Sequence, residues 1–206
     1  MLEEFQNLDK DRKYQKILLK YETISSEDIE ARDYNFISYI AAKANFLLGK
    51  IGETLNLLPS VILWAKENDN DLFISSTVLE ANCYTSRGEH KNSQKMFEKL
   101  FSEAKDIDQS VHYPVLLVNY GHTLFYQGDI IRASEQYQKA LNVSKERGLP
   151  DDKILNNLAI AYNQLGQHNK AIDTAIEVIR KKEELEDWHG WTICLLYTSP
   201  SPRDRS

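Results

Sequence analysis

Histidines, cysteines and carboxylates are the residues of this chain that could carry out acid–base, nucleophilic or metal chemistry. None of the five histidines stands in a metal-binding motif such as HExxH, and the sequence holds neither GxSxG nor a phosphate-binding glycine loop. Cys83 lies in a helical pattern, where a small buried hydrophobe is the simpler interpretation. Acidic runs such as KKEELED are typical of solvated helix ends. The sequence therefore predicts no enzyme, no cofactor and no metal site.

Four regularly spaced glycines indicate how the helices of this chain are arranged. Gly49, Gly88, Gly128 and Gly166 follow one another at a nearly constant spacing. Each ends a helical pattern, where a residue that tolerates positive φ is needed, and a second helical pattern begins after it. A regular period of this size indicates a repeated helix–turn–helix unit, stacked about four times. We expect an all-α protein, an α-solenoid of stacked antiparallel helix hairpins.

Small residues recur at two positions when the units are aligned on these glycines, with the first unit starting at Asn35 and the last at Asp152. The two helices of a hairpin would approach most closely there, because a large side chain would force them apart. The eighth position holds Ala42, Ala81, Gly121 and Ala159, and the twentieth holds Thr54, Ser93, Ala133 and Ala171.

This pattern resembles the tetratricopeptide repeat family, best in the segments Asn119–Leu141 and Asn157–Val178. The resemblance covers about residues 33–187 and implies a right-handed superhelix of hairpins. The usual unit of the family is shorter than the period of this chain, which is similar to that of the longer-helix subgroup. Pro59 lies inside the second helix of the first unit, where we expect it to kink or break that helix.

In this family the first helix of each unit lines a concave groove that binds a protein or peptide. The resemblance therefore implies groove residues in the third and fourth units: Asn119, His122, Phe125, Tyr126, Lys153, Asn156, Asn157 and Asn163. Asn119 and Asn157 hold the same repeat position, and an amide offers a donor and an acceptor to a peptide backbone. Alternatively, asparagine there only fits a half-buried helix face, and the sequence leaves both interpretations open. A carboxylate clamp is not expected, because Lys153 is the only basic residue aligned with its later part.

The predicted helix pairs lie near residues 33–67, 71–106, 112–147 and 151–184. An N-terminal helix within residues 1–32 is interpreted as part of a further repeat, and residues 188–193 resemble the start of a truncated first helix. The segment Cys194–Asp204 resembles the in-frame translation of a transposon-type sequencing adapter. We therefore expect residues 194–206 to be an artefact and the native sequence to continue past about Ile193.

Composition narrows the classes of partner. Charged residues make up 27% of the chain and hydrophobic residues 42%, which is typical of a soluble globular protein. No apolar run is long enough for a membrane helix, and the N-terminus lacks the features of a secretory signal. The net charge of −6 argues against nucleic acid as the main partner. We expect a cytoplasmic scaffold for proteins or peptides, with self-association through truncated ends as an additional expectation.

The alternative is a sensory or regulatory module of a larger signalling protein or transcription regulator, whose C-terminal effector domain is missing. A phosphatase regulator of the bacterial peptide-sensing type is a weaker hypothesis. That group places a helical bundle before its repeats, and the short segment before the first repeat of this chain leaves no room for one.

Overall fold

The computed structural model describes the backbone of residues 1–184 and the side chains of residues 1–181. The contacts divide the chain into two compact units, Met1–His112 and a second unit that begins at Tyr113. All regular secondary structure in the described residues is helical. The first unit contains α1 (Leu2–Lys10), α2 (Tyr14–Tyr21), α3 (Ala31–Leu47), α4 (Ile51–Asn68), α5 (Asn70–Ser86) and α6 (His90–Glu103). The second contains α7 (Tyr113–Tyr126), α8 (Ile130–Glu146), α9 (Asp152–Gln164) and α10 (His168–Glu184).

Each helix packs mainly against its neighbours along the chain. In the first unit α2 packs on α3, α3 on α4, α4 on α5 and α5 on α6, and in the second unit α7 packs on α8, α8 on α9 and α9 on α10. Short turns join α3 to α4, α5 to α6, α7 to α8 and α9 to α10. The predicted all-α stack of helix hairpins is confirmed.

The turn at Gly128 shows why the glycines recur. Its φ of 87° lies in the left-handed region, where a side chain would be strained. This conformation ends α7 and lets the Asp129 amide donate to the Leu124 carbonyl at 3.0 Å. The other three glycines of the period also have positive φ, between 70° and 77°. The period in the sequence is therefore a period of helix C-terminal turns.

The small residues lie where the helices of each hairpin meet. All eight are buried, and the closest approach is at Gly121 on α7. A Cβ atom added there would lie 2.4 Å from Cε1 of Tyr137 on α8, whose ring is itself buried. The hairpin α7–α8 therefore depends on the absence of a side chain at this position.

Two expectations about the first unit need correction. The N-terminal segment forms two short helices, α1 and α2, rather than one, because Arg12 between them has a φ of 56°. Pro59 does not break α4, which is helical from Ile51 to Asn68. Pro59 is exposed, so water can bind the backbone carbonyl that loses its amide donor there. The predicted truncated helix at 188–193 and the adapter-like residues 194–206 lie outside the described residues.

Candidate functional site

The predicted groove residues lie on α7 and α9, the first helices of the two hairpins in the second unit. His122 on α7 lies within hydrogen-bonding reach of the Asn157 side chain on α9, which influences the pKa of the imidazole. Asn157 is about midway along α9, whereas His122 lies in the C-terminal half of α7. The structure thus brings the third and fourth repeats together at two of the predicted positions.

The environment of His122 keeps its imidazole neutral at pH 7. Burial lowers the pKa of this histidine, and the neighbouring Asn157 side chain only partly opposes that effect. The ring also makes an edge-on contact with Tyr137, with the two ring centroids 5.7 Å apart. A neutral imidazole has one donor and one acceptor nitrogen, so His122 can pair with an uncharged polar group.

The two asparagines at the same repeat position are not equivalent in the structure. The Asn119 amide nitrogen donates to the Val115 carbonyl one turn earlier, at 3.0 Å. Asn157 instead lies beside His122 on the neighbouring helix. The environment of Asn119 therefore fits the alternative in which asparagine only occupies a half-buried helix face. Asn157, by contrast, interacts with a neighbouring helix.

Aromatic side chains form the C-terminal part of the α7 face. Tyr126 is 65% exposed, and Phe125 beside it is half-buried. The two rings meet edge to face, with centroids 6.0 Å apart. This geometry leaves a large part of the Tyr126 ring available for contact with a ligand side chain.

The α9 face carries mostly polar side chains, with the half-buried Ile160 among them. Lys153 and Asn163 are exposed at its two ends, and Asn156 is half-buried between them. The Asn163 side-chain oxygen lies 3.1 Å from Nδ1 of His168 at the start of α10. Asn163 is therefore bound to the turn between α9 and α10, which limits its freedom to rotate towards a ligand.

The predicted set leaves out Val115. Val115 is exposed on α7 at the second repeat position, the position that Lys153 occupies in the next unit. The repeat register could have identified it. With Val115 included, the α7 face combines apolar and aromatic side chains with Asn119 and His122, and the α9 face combines amides and Lys153 with Ile160.

The arrangement supports noncovalent recognition. No carboxylate is among the predicted groove residues, and the described residues hold no cluster of histidine, cysteine or acidic side chains that could bind a metal ion. The face pairs hydrogen-bonding amides with apolar side chains, a combination that suits a peptide backbone and its side chains.

The corresponding face of the first unit has its polar groups in pairs. Lys43 on α3 bonds to Asp9 on α1, with Nζ and Oδ2 2.7 Å apart. Burial raises the pKa of Tyr39 to about 12, and the neighbouring Ser75 side chain only partly opposes that effect. Because Asp9 already neutralises Lys43, this lysine is not arranged as a carboxylate clamp.

The described helices are too short or too polar for any of them to cross a membrane.

Comparison with known proteins supports the repeat interpretation. Residues 112–184 match the tetratricopeptide repeat family. No curated protein matches the chain in sequence. Several solved structures, however, are similar in fold.

A Rap protein complexed with competence and sporulation factor matches with a TM-score of 0.77 and 14% identity, over 89% of this chain and 53% of that one. PlcR from Bacillus thuringiensis, in complex with the peptide PapR7 and DNA, matches with a TM-score of 0.75 and 15% identity, over 94% of this chain and 72% of PlcR. A putative kinesin light chain from Podosopora anserina matches with a TM-score of 0.64 and 15% identity, over 90% of this chain and 94% of the kinesin light chain. At these identities the similarity shows the fold alone. The chain spans about half the length of the Rap protein.

Proposed function

We propose that this chain, whose residues 112–184 belong to the tetratricopeptide repeat family, is a scaffold that binds a protein or peptide against α7 and α9. The observation that carries this proposal is the placement of His122 on α7 beside Asn157 on α9, where the asparagine side chain influences the pKa of the imidazole. This placement joins the two first helices into one face, with exposed Tyr126 on one helix and Lys153 on the other. Such a face offers polar groups to the backbone of an extended segment and aromatic surface to its side chains.

Structural relatives with bound peptides support the same class of ligand. The PlcR structure named above contains the peptide PapR7, and the Rap structure contains competence and sporulation factor. Their similarity to this chain is in fold, so the ligand of this chain has to come from its own groove residues. We propose a cytoplasmic location. We also propose that residues 1–184 make no direct contact with nucleic acid, since the net charge of the full sequence is −6.

A random-peptide display library is the direct test of this proposal. A peptide selected on the full-length chain would be labelled, and its affinity measured by fluorescence polarisation. We expect Asn157→Ala to weaken binding by about 1–3 kcal/mol, because it removes an amide from the face of α7 and α9. Asn119→Ala should have a smaller effect, since its amide nitrogen already bonds within α7.

Asn142→Ala is the matched control. Asn142 is exposed on α8, where its side-chain oxygen accepts a hydrogen bond from Gln138 at 3.0 Å. This variant should bind like the wild type. If Asn142→Ala abolished binding while Asn157→Ala left it unchanged, the ligand would contact the second helices and the groove assignment would be wrong.

A regulatory module of a larger protein is the second candidate. The specific observation in its favour is that the chain spans only 53% of the Rap protein and 72% of PlcR. In such an arrangement peptide binding to the repeats would control an effector elsewhere in the protein. The genomic sequence downstream of the codon for Ile193 separates the two candidates, because a regulator requires an effector domain to be encoded there.

A further inference from the structure

The outer face of α10 carries a stripe of isoleucines. Ile172 is 54% exposed and Ile176 is 47% exposed, and Ile179 beside them is half-buried. The spacing of four and three positions places all three on one side of the helix. The three isoleucines form a continuous apolar strip, and burying it against a partner would remove apolar surface from water.

The preceding hairpin shows how the equivalent face of α8 is packed. We aligned the two hairpins on Gly166 and Gly128. In this alignment Ile172, Ile176 and Ile179 of α10 occupy the same repeat positions as three residues of α8, namely Ser134, Gln138 and Leu141. Gln138 accepts a hydrogen bond from the Tyr162 hydroxyl of α9 at 3.4 Å, and Leu141 is only 4% exposed. The equivalent face of α8 is therefore covered by a neighbouring helix.

The stripe faces away from the rest of its hairpin stack. Lys181 lies two and a half helical turns after Ile172 and so on the opposite side of α10. Its ammonium group bonds to Asp151, and Glu177 bonds to Lys145 of α8 at 3.1 Å. The contacts of α10 with α8 and with the start of α9 thus leave the isoleucine side open.

A pair of opposite charges lies along the outer edge of the stripe. Asp173 and Arg180 are exposed and lie two helical turns apart on the same side of α10. Within residues 1–181, neither side chain forms an ion pair. When two identical helices pack antiparallel, each edge meets the same edge of the other helix. Asp173 of one copy then lies opposite Arg180 of the second copy, and Arg180 opposite Asp173.

We propose that two copies of this chain associate through α10, with the isoleucine stripes packed antiparallel and the Asp173 and Arg180 side chains paired across the two-fold axis. The apolar stripe provides the contact area, and the charge pair selects the antiparallel orientation. The surface is separate from the face of α7 and α9, so this association does not depend on the proposed peptide binding.

Sedimentation velocity of the full chain over a range of concentrations tests the association. We expect a dimer of the wild type and at least about a tenfold weaker dimerisation for Ile176→Asp, which places a charge in the centre of the contact. Ile131→Asp is the matched control, because Ile131 is an exposed isoleucine on α8 outside the stripe. Circular dichroism verifies that both variants remain folded.

Charge reversal tests the orientation. Asp173→Arg and Arg180→Asp should each weaken the dimer, because like charges then face each other, and the double reversal should restore it. A wild-type chain that stays monomeric, or a dimer that tolerates Ile176→Asp, would overturn the proposal. Failure of the double reversal to restore association would overturn the antiparallel arrangement. Dimerisation seen only after removal of residues 185–206 would mean that those residues cover the stripe, and would also overturn the proposal.

Discussion

Gly121 is the residue where a single methyl group should have the largest effect on the second unit. Its added Cβ would lie 2.4 and 2.8 Å from two ring atoms of Tyr137. The tyrosine ring is buried and cannot move into solvent. We therefore expect Gly121→Ala to lower the free energy of unfolding by about 1–3 kcal/mol, measured by urea denaturation.

The control for this prediction is Gly52→Ala on α4. An added Cβ at Gly52 meets no atom within 4 Å, and the residue has no positive φ. Alanine should stabilise the helix there by up to about 1 kcal/mol. If both substitutions shifted stability in the same direction, the close contact between Gly121 and Tyr137 would not determine the packing of α7 on α8.

His122 should make the stability of the protein depend on pH. Burial lowers the pKa of its imidazole in the folded state, whereas an unfolded histidine titrates near pH 6.5. As the pH falls below about 6.5, the unfolded chain binds this proton more readily than the folded protein does. Stability is therefore lost on acidification, by up to about 1.4 kcal/mol per pH unit, and is fully present above pH 6.5.

Urea unfolding of His122→Gln at a series of pH values measures this effect. The variant lacks the titrating group and should lose less stability than the wild type between pH 7.5 and the lowered pKa. Identical profiles for wild type and His122→Gln would show that burial of the imidazole does not affect its titration.

At the scale of elements, an ion pair fastens α10 to the start of α9. Lys181 contacts both carboxylate oxygens of Asp151, at 2.5 and 2.6 Å. The Asp151 side chain is only 8% exposed, so it has little access to water. We expect Lys181→Met to destabilise the second unit by about 1–3 kcal/mol, because it leaves a buried carboxylate without its cation.

Lys145→Met provides the comparison in thermal and urea denaturation. Lys145 pairs with Glu177 at 3.1 Å, but both side chains are well exposed. Loss of such a surface pair should cost less than about 1 kcal/mol. Equal losses for the two lysine variants would mean that the burial of Asp151 has no energetic consequence.

At the scale of the whole molecule, the adapter-like end of the chain gives a simple prediction. If residues 194–206 are foreign to the native sequence, their removal should leave both the helicity and the unfolding midpoint unchanged. Circular dichroism during thermal denaturation provides both measurements. A cooperative loss of stability on removal of these residues would identify them as part of the native fold.

The repeat architecture was available from the sequence because its determinants are local. A glycine is required wherever a helix ends in the left-handed region, and Gly49, Gly88, Gly128 and Gly166 therefore mark the turns directly. Small residues are required wherever two helices approach closely, so Gly121 and Ala133 revealed the hairpin contact before its partner was known. Each signal needs only one residue and its position along the chain.

Relations between helices were decided by the tertiary structure. Asn119 and Asn157 are identical in type and repeat position, yet one bonds within α7 and the other lies beside His122 on the next helix. The sequence likewise does not distinguish the isoleucines of α10 from other helix residues. Their exposure, and the contrast with the covered face of α8, are visible only in the structure. A sequence pattern specifies which face a residue occupies, whereas its partners depend on which side chains the neighbouring helices bring within a few ångströms.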